Sequence, residues 1–445
     1  MRSTLFHIPP ELFGIPVFGV GWLLLAWIVI SLAILAFASR QQGWNRDTLS
    51  YLPFLAVVGL VIAFLLPNLV EIGPNGQPLG IPVRGFGVMM MLATIAAVGL
   101  AAYRARQIGV DPEVIYSLAF CMFIAGIVGA RAFFIVQKLI EGELMLPRTA
   151  SGAIDLPATV VFLVSVTQGG LVVYGSVIAG VPAGIWYLRR RGLPILPVAD
   201  IIAPSMVLGQ AIGRIGCFLN GCCYGGVCLT ASYAMTFPGG TSPSPPYAQQ
   251  SHFGWQSGIW LVQGQGAEPV SIGYVATGSD AERQGIKPGE TVKRINGVQV
   301  DSLAHGRTIL TSSSGAYELE TADGRVVRWT TSKPPARSVP VHPTQLYAAI
   351  DAGLLALFLW SYFPYRRRDG EVFALLITLH PISRFVLEAI RDDEAGQFGT
   401  RLTISQLLSL AILAVACVLW WYVEQQPKLE EPRTKIQQPI TPSAA

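Results

Sequence analysis

The sequence predicts an all-α polytopic membrane protein of about nine transmembrane helices, N-terminus outside and C-terminus inside, with a small α+β insert outside the cytoplasm. Three observations predict it. Hydrophobic residues make up 52% of the 445 and charged residues only 13%, where a soluble domain carries about 25% charged residues. Apolar runs of roughly bilayer-spanning length recur along the chain. Basic residues cluster in short loops between the runs, and one orientation puts every cluster on the same side.

In order, the candidate spans cover residues 17–38, 50–67, 86–103, 114–136, 169–188, 197–220, 345–363, 371–391 and 403–422. Several fall a little short of the roughly 20 residues that cross a bilayer. With the N-terminus outside, Arg40 and Arg46, Arg104 and Arg106, Arg189 to Arg191, and Arg366 to Arg368 are all cytoplasmic. The reverse orientation strands each of these clusters outside. The net charge of +4 sits in such loops, which argues against a nucleic-acid partner. Residues 1–78 read as additional N-terminal transmembrane helices. Residues 14–28 (GIPVFGVGWLLLAWI) resemble residues 80–95 (GIPVRGFGVMMMLATI), a partial duplication that chance also produces in so apolar an alphabet. Residues 425–445 are polar and proline-containing, and are expected to form a disordered cytoplasmic tail.

A composition shift marks the insert. Residues 237–250 (FPGGTSPSPPYAQQ) are a Pro/Gly/Ser linker, and residues 253–336 read as a soluble unit. Within it, residues 270–300 alternate in strand fashion around GSDAERQGIKPGE, a short helix closed by glycine and a Lys-Pro-Gly turn, and ING supplies a hairpin turn. Further strands are expected at 316–321 and 326–331, joined at Asp323-Gly324. This stretch resembles a PDZ domain, which implies an extended peptide added to a strand as partner. Residues 258–261 are the candidate carboxylate-binding loop. A rigid lid or spacer without a ligand fits the same residues.

Three arginines stand inside apolar runs: Arg131 in IAGIVGARAFFIV, Arg214 in ADIIAPSMVLGQAIGRIGCFLN and Arg384 in HPISRFVLEAIR. A charge within a span costs several kcal/mol unless it faces protein or water, so by default it marks a site. Each alone reads better as a snorkelling or helix-tying residue. Together they point to a buried anion, and in a bilayer the abundant anion is a phospholipid headgroup. Helical spacing adds to this. His380, Arg384, Glu388 and Arg391 fall at i, i+4, i+8 and i+11, a polar stripe on an apolar helix, and Gln210 and Arg214 form a similar i, i+4 pair. Glu388 either orients Arg384 as a register-fixing ion pair or acts as a base. Gly209, Gly213 and Gly216 leave room for a lipid or a neighbouring backbone.

Residues 213–225 (GRIGCFLNGCCYG) resemble the signature of the prolipoprotein diacylglyceryl transferase family. The resemblance extends, in the family's order, to residues 81–87 (IPVRGFG), 129–135 (GARAFFI), 169–180 (GGLVVYGSVIAG), 342–347 (HPTQLY) and 384–388 (RFVLE). It divides the membrane core into residues 79–252 and 337–424, with the insert between. The resemblance implies an enzyme of the bacterial inner membrane that moves diacylglyceryl from phosphatidylglycerol to the lipobox cysteine thiol beside a prolipoprotein signal peptide. Glycerol 1-phosphate is released. The substrate supplies the nucleophile, and no cofactor or metal is implied. Arginine suits the task because its guanidinium stays ionised and donates as a planar fork. The expected catalytic residues are Arg214, Arg384, Glu388 and Tyr174. Those expected to bind phosphatidylglycerol are Arg214, Arg131, Asn220, Gly225 and His342.

This chain departs from the family pattern at Tyr174, where histidine is usual, at Cys217, where asparagine is frequent, and at Phe86, where tyrosine is common. A phenol with an ordinary pKa near 10 is a poor base, so Glu388, His342 and His380 remain as titratable candidates. The cysteines Cys217, Cys222, Cys223 and Cys228 raise zinc or disulfides. Their C-x4-C-C-x4-C spacing is no zinc-ribbon pattern, and a disulfide or small thiols packed beside glycine is the preferred reading. Cys121 and Cys417 are expected in apolar packing. A membrane protease lacks support: no H-E-x-x-H occurs and Ser176 lacks an evident partner. The main alternative is a non-catalytic phospholipid-binding or transport protein.

Overall fold

A computed structural model describes residues 4–43, 51–73, 75–141, 155, 158–159, 162–163, 172–240, 243–264, 268–391, 400 and 402–429. Residues 169–171 of the expected fifth span, Arg46, and all of the expected tail beyond residue 429 lie outside these.

In chain order the elements are β1 (Thr4–Ile8), β2 (Glu11–Leu12), β3 (Ile15–Pro16), α1 (Trp22–Gln42), α2 (Tyr51–Leu60), β4 (Glu71–Ile72), β5 (Pro78–Arg84), α3 (Gly85–Gln107), α4 (Pro112–Ile140), α5 (Val173–Arg190) and α6 (Ile195–Asn220). There follow α7 (Pro245–Ser251), β6 (Ile259–Gln263), β7 (Val270–Val275), α8 (Asp280–Arg283), β8 (Val292–Ile295), β9 (Val298–Gln299), α9 (Leu303–Ser312), β10 (Ala316–Thr321), β11 (Val326–Thr330), α10 (Thr344–Tyr362), α11 (Glu371–Glu388) and α12 (Ile404–Glu424). Six stretches are long and apolar enough to cross a membrane: Trp22–Arg40, Gly85–Gln107, Pro112–Ile140, Ile195–Asn220, Thr344–Tyr365 and Ile404–Glu424. The protein is a mostly helical, multi-pass membrane protein. Each remaining candidate span also contains a helix, α2, α5 or α11. Cys417, expected in packing, is exposed on α12, as an apolar residue on an outward, lipid-suited helix face is.

Helix ends follow local chemistry. Asp111 accepts from Glu113 N at 2.9 Å, with Pro112 at the first helical position of α4. Thr403 and Gln406 form a capping box at the start of α12. Gly43, with φ of 72°, closes α1.

The chain divides into two compact units. The first comprises residues 1–89, 216–222 and 236–339. Here β1 pairs antiparallel with β5, and β5 with β4. The insert lies in the same unit: β6 pairs with β7, and a second sheet runs β11-β10-β8-β9. Asn296 and Gly297, with φ of 50° and 78°, make the tight turn from β8 to β9 that ING predicts. Ile259, Leu261, Ile272, Ile295 and Leu319 are fully buried in its core. Gly306 lets α9 close onto Leu261 and Val300. At the insert's base, Gly239 N donates to Ala336 O at 2.9 Å and Ser338 N to Phe237 O at 2.7 Å, so the chain leaves and returns side by side.

The second unit comprises residues 90–215, 223–235 and 340–445. Small residues bring its helices together. Ala101 and Ala105 of α3, Ala203 of α6 and Ala352 of α10 are buried with Ile201, Leu359 and Val372. A Cβ on Gly129 of α4 would strike Gly175 O and Ala179 Cβ, so α4 and α5 meet backbone to backbone. Asp200 is wholly buried and accepts from Gly370 N at 2.7 Å and Phe373 N at 2.9 Å, which caps α11 from α6. Arg366 lies 3.7 Å from that carboxylate. Arg104 stacks over Trp360 at 3.5 Å. Two arginines counted as topology signals are thus internal ties as well.

Candidate active site

The polar stripe of α11 and the Gly-Arg motif of α6 meet within the second unit. Glu388, at the last turn of α11, has a fully buried side chain. Arg384 Nη2 lies 2.7 Å from Glu388 Oε2 and donates to Ser405 Oγ of α12 at 3.1 Å. Arg391 approaches the same carboxylate oxygen at 3.6 Å. Thr403 Oγ1 donates to Glu388 Oε1 at 3.3 Å. The helix ends at Glu388 rather than running on to residue 391, and Arg391 reaches back from the turn that follows, where its N–H donates to Glu388 O. One buried carboxylate therefore pairs with two guanidiniums through Oε2 and accepts a hydrogen bond from Thr403 at Oε1, and burial is tolerated because the charges are paired.

Arg214 is different. It forms no hydrogen bond or ion pair with described residues, and its charge bears on Arg384 and on His380. His380 sits one turn before Arg384, and Asp351 of α10 acts on it too. Ser383 Oγ donates to Asp351 Oδ2 at 2.8 Å. Among the described residues, the charges of Arg214 and Arg384 bear on one another, and like charges within a span repel unless an anion joins them. The arrangement can hold a phosphate, with Arg214 as its uncommitted fork.

The other expected residues fall as follows. Arg131 is 8% exposed and directs Nε to Leu163 O at 3.0 Å and Nη2 to Phe162 O at 2.5 Å, so these donors serve backbone carbonyls. Tyr174 stands in the first turn of α5, beside the close contact of Gly175 with Gly129. Gly225 N donates to His342 O at 2.9 Å, and a Cβ on Gly225 would meet His342 Cβ and Thr344 Cγ2. His342 Nδ1 lies 3.4 Å from Tyr347 Oη, and its ring is 6.2 Å from that of Tyr233. Asn220 is the last residue of α6, and Gly221 leaves the helix at φ of 79°. Among the described residues no disulfide joins any of the six cysteines, against the disulfide reading. Cys223 holds a φ of 58°, its carbonyl accepts from Thr344 Oγ1 at 2.8 Å, and its thiol acts on Arg384.

Sequence reasoning missed Ser405, Thr403, Asp351 and Tyr233. Single hydroxyls and one acid at helix starts or within apolar runs carry no periodic signal. Only the fold brings them to the arginines or to His342.

A multi-pass membrane protein with a cationic site sunk among its helices belongs to the class that handles anionic lipid. The sequence profile of the prolipoprotein diacylglyceryl transferases matches residues 76–422, and the chain belongs to that family. It is 33% identical over 447 residues to a phosphatidylglycerol–prolipoprotein diacylglyceryl transferase of Rhodopirellula baltica, covering 94% of this chain and 88% of the relative. A transferase of the same name from Clostridium tetani is 24% identical over 336 residues, 76% of this chain and 91% of the relative. One from Trichormus variabilis is 30% identical over 172 residues, 38% of this chain and 54% of the relative.

Proposed function

We infer that the chain transfers the diacylglyceryl group of phosphatidylglycerol to the lipobox cysteine thiol of prolipoproteins, releasing glycerol 1-phosphate. It is a transferase of lipoprotein biosynthesis. The observation that carries the mechanism is Arg214, a guanidinium in a span with no hydrogen bond or ion pair among the described residues, whose charge reaches an Arg384 already paired with Glu388.

The reaction is a displacement at a glyceryl carbon. Sulfur attacks, the bond from carbon to phosphate oxygen breaks, and negative charge grows on the departing phosphate. Arg214 binds that phosphate in the ground state and, with Arg384, stabilises the developing charge in a water-poor site, where such contacts are worth a few kcal/mol each. Glu388 orients Arg384 and balances Arg391. Tyr174 donates to the lipid headgroup, and Gly225 and His342 line its pocket. Arg131 acts by fixing the segment at Phe162 and Leu163 near the lipid path.

The working topology is nine spans, N-out and C-in, in a bacterial inner membrane. The shorter helices α2, α5 and α11 cross with the six long ones, and the insert at residues 253–336 lies outside the cytoplasm. We read the insert as PDZ-like, supported by the strand β6 after Gly258 and by α9 packed on it at Gly306 and Leu261, an edge and helix to which an extended peptide would add as a strand.

The test is reconstitution in phosphatidylglycerol vesicles with a short lipobox peptide. A mass gain of one diacylglyceryl group on the cysteine, with glycerol phosphate formed in equal amount, is the expected result. Lipid binding without mass gain would instead identify a carrier.

A further inference from the structure

The site contains one titratable side chain with nothing to do. His380 Nδ1 is shielded from solvent and has no hydrogen-bond partner. Buried polar atoms are nearly always paired, and an exception in a site calls for a functional explanation. The other candidate bases are engaged. Glu388 is held by Arg384, Arg391 and Thr403. His342 is within reach of Tyr347 Oη and packed on Tyr233. Asp351 accepts from Ser383.

Position supports a role for the imidazole. His380 and Arg384 are four residues apart on α11, so they share a helix face. The charged groups facing His380 come from each helix whose charges reach it: Arg214 of α6, Asp351 of α10 and Arg384 of α11. The described part of α12 adds no charged residue before Glu424. An imidazole on the helix face of Arg384, within reach of the charge of Arg214, is placed to meet a thiol brought up to a phosphate held by those arginines.

We propose that His380 is the general base of the transfer, taking the proton from the lipobox thiol as sulfur attacks. This rests on the transferase reading above. The S–H bond breaks and its proton goes to the imidazole. A sulfur pair forms the S–C bond to the glyceryl carbon, and the C–O pair leaves with the phosphate between Arg214 and Arg384. The imidazolium then returns its proton to the departing phosphate oxygen. Atoms and charge balance without a further reactant. The position is a matter of this chain's own chemistry, since Tyr174 supplies no good base.

The test compares the full-length protein with His380→Gln in phosphatidylglycerol vesicles from about pH 6 to 9.5, scored as kcat/KM for the peptide. His380→Gln should lose about 10²-fold or more at pH 7. Its deficit should shrink as pH rises towards the free thiol's own pKa near 8.5. A peptide carrying selenocysteine, already ionised at neutral pH, should be modified equally by both proteins. The wild type alone gives a second reading, because its acidic limb should move to lower pH with the selenocysteine peptide. A deficit that is the same at every pH and for both peptides would make His380 a packing residue and overturn the proposal. So would an acidic limb indifferent to the nucleophile. No transfer by the wild type under any condition would overturn the transferase reading itself, and this proposal with it.

Discussion

Arg214 and Arg384 look alike in sequence and are unlike in structure. Arg384 is bound within the protein at 2.7 Å to Glu388, whereas Arg214 has no such partner among described residues. The two should therefore fail differently. Arg214→Lys keeps the charge and loses the planar fork, so transfer should fall by about 10²-fold with little change in thermal stability. Near-normal turnover in a folded Arg214→Ala protein would remove this residue from the site. For Arg384 and Glu388, Glu388→Ala takes the shared carboxylate from two guanidiniums and should cost about 3–5 kcal/mol, whereas Arg384→Ala leaves Glu388 with Arg391 and should cost less. The double substitution should be less damaging than the sum by at least about 1 kcal/mol, measured as unfolding in detergent. Additive losses would argue against the contact. The sequence makes these pairings legible because helical spacing alone puts residues 384 and 388 on one face. It leaves Ser405, Thr403 and Asp351 hidden, because their proximity depends on how α10, α11 and α12 pack.

Among the helix pairs of the second unit, α4 and α5 make the tightest approach at described glycines. GARAFFI and YGSVIAG place Gly129 and Gly175 against one another with no space for a side chain between the backbones. In a bilayer, where apolar helices gain little by leaving lipid, such close packing is a main source of cohesion. Gly129→Leu should force the helices apart and lower the unfolding midpoint in detergent, at a cost of about 1–3 kcal/mol or more. Tyr174 should lose its place in the same step, so transfer falls too. Gly99→Ala makes a suitable control. Gly99 lies within α3 with no atom near its missing Cβ, and the exchange should be neutral or stabilising by up to about 1 kcal/mol. Equal behaviour of the two variants would show that the α4–α5 contact carries no load. Hydropathy finds these helices readily, yet it is blind to which glycines touch. The small sheet of β1, β5 and β4 is equally hidden. Strand pairing across more than seventy residues leaves no periodic trace, and PLGIPVR reads as a lead-in to the next span.

At the scale of the whole molecule, the order of apolar runs and the turn chemistry of the insert were legible, because each rests on local composition; the linker expected at 237–250 is instead partly folded, with α7 at Pro245–Ser251 and Phe237, Tyr247 and Gln250 buried. The division into units was not, since the first unit gathers residues 1–89 with 216–222 and 236–339 from three separate stretches. The insert is the part whose role is most open to a decisive test. It has its own buried core and meets the rest of its unit through two hydrogen-bonded backbone segments, with Gly239 N on Ala336 O at 2.9 Å. Because those segments already run side by side, a two- to four-residue Gly/Ser turn can replace residues 241–335 without stretching the stem. The segment removed includes none of the residues assigned to the phosphate site. On that reading the shortened protein should modify a small soluble lipobox peptide at a rate within about threefold of wild type, while its rate on full-length prolipoproteins changes by much more. Such a split is what an accessory peptide-binding or access-controlling module produces, since it alters how a large substrate arrives without touching the reacting groups. Loss of transfer to both substrates in a protein that still inserts and unfolds cooperatively would make the insert part of the catalytic site.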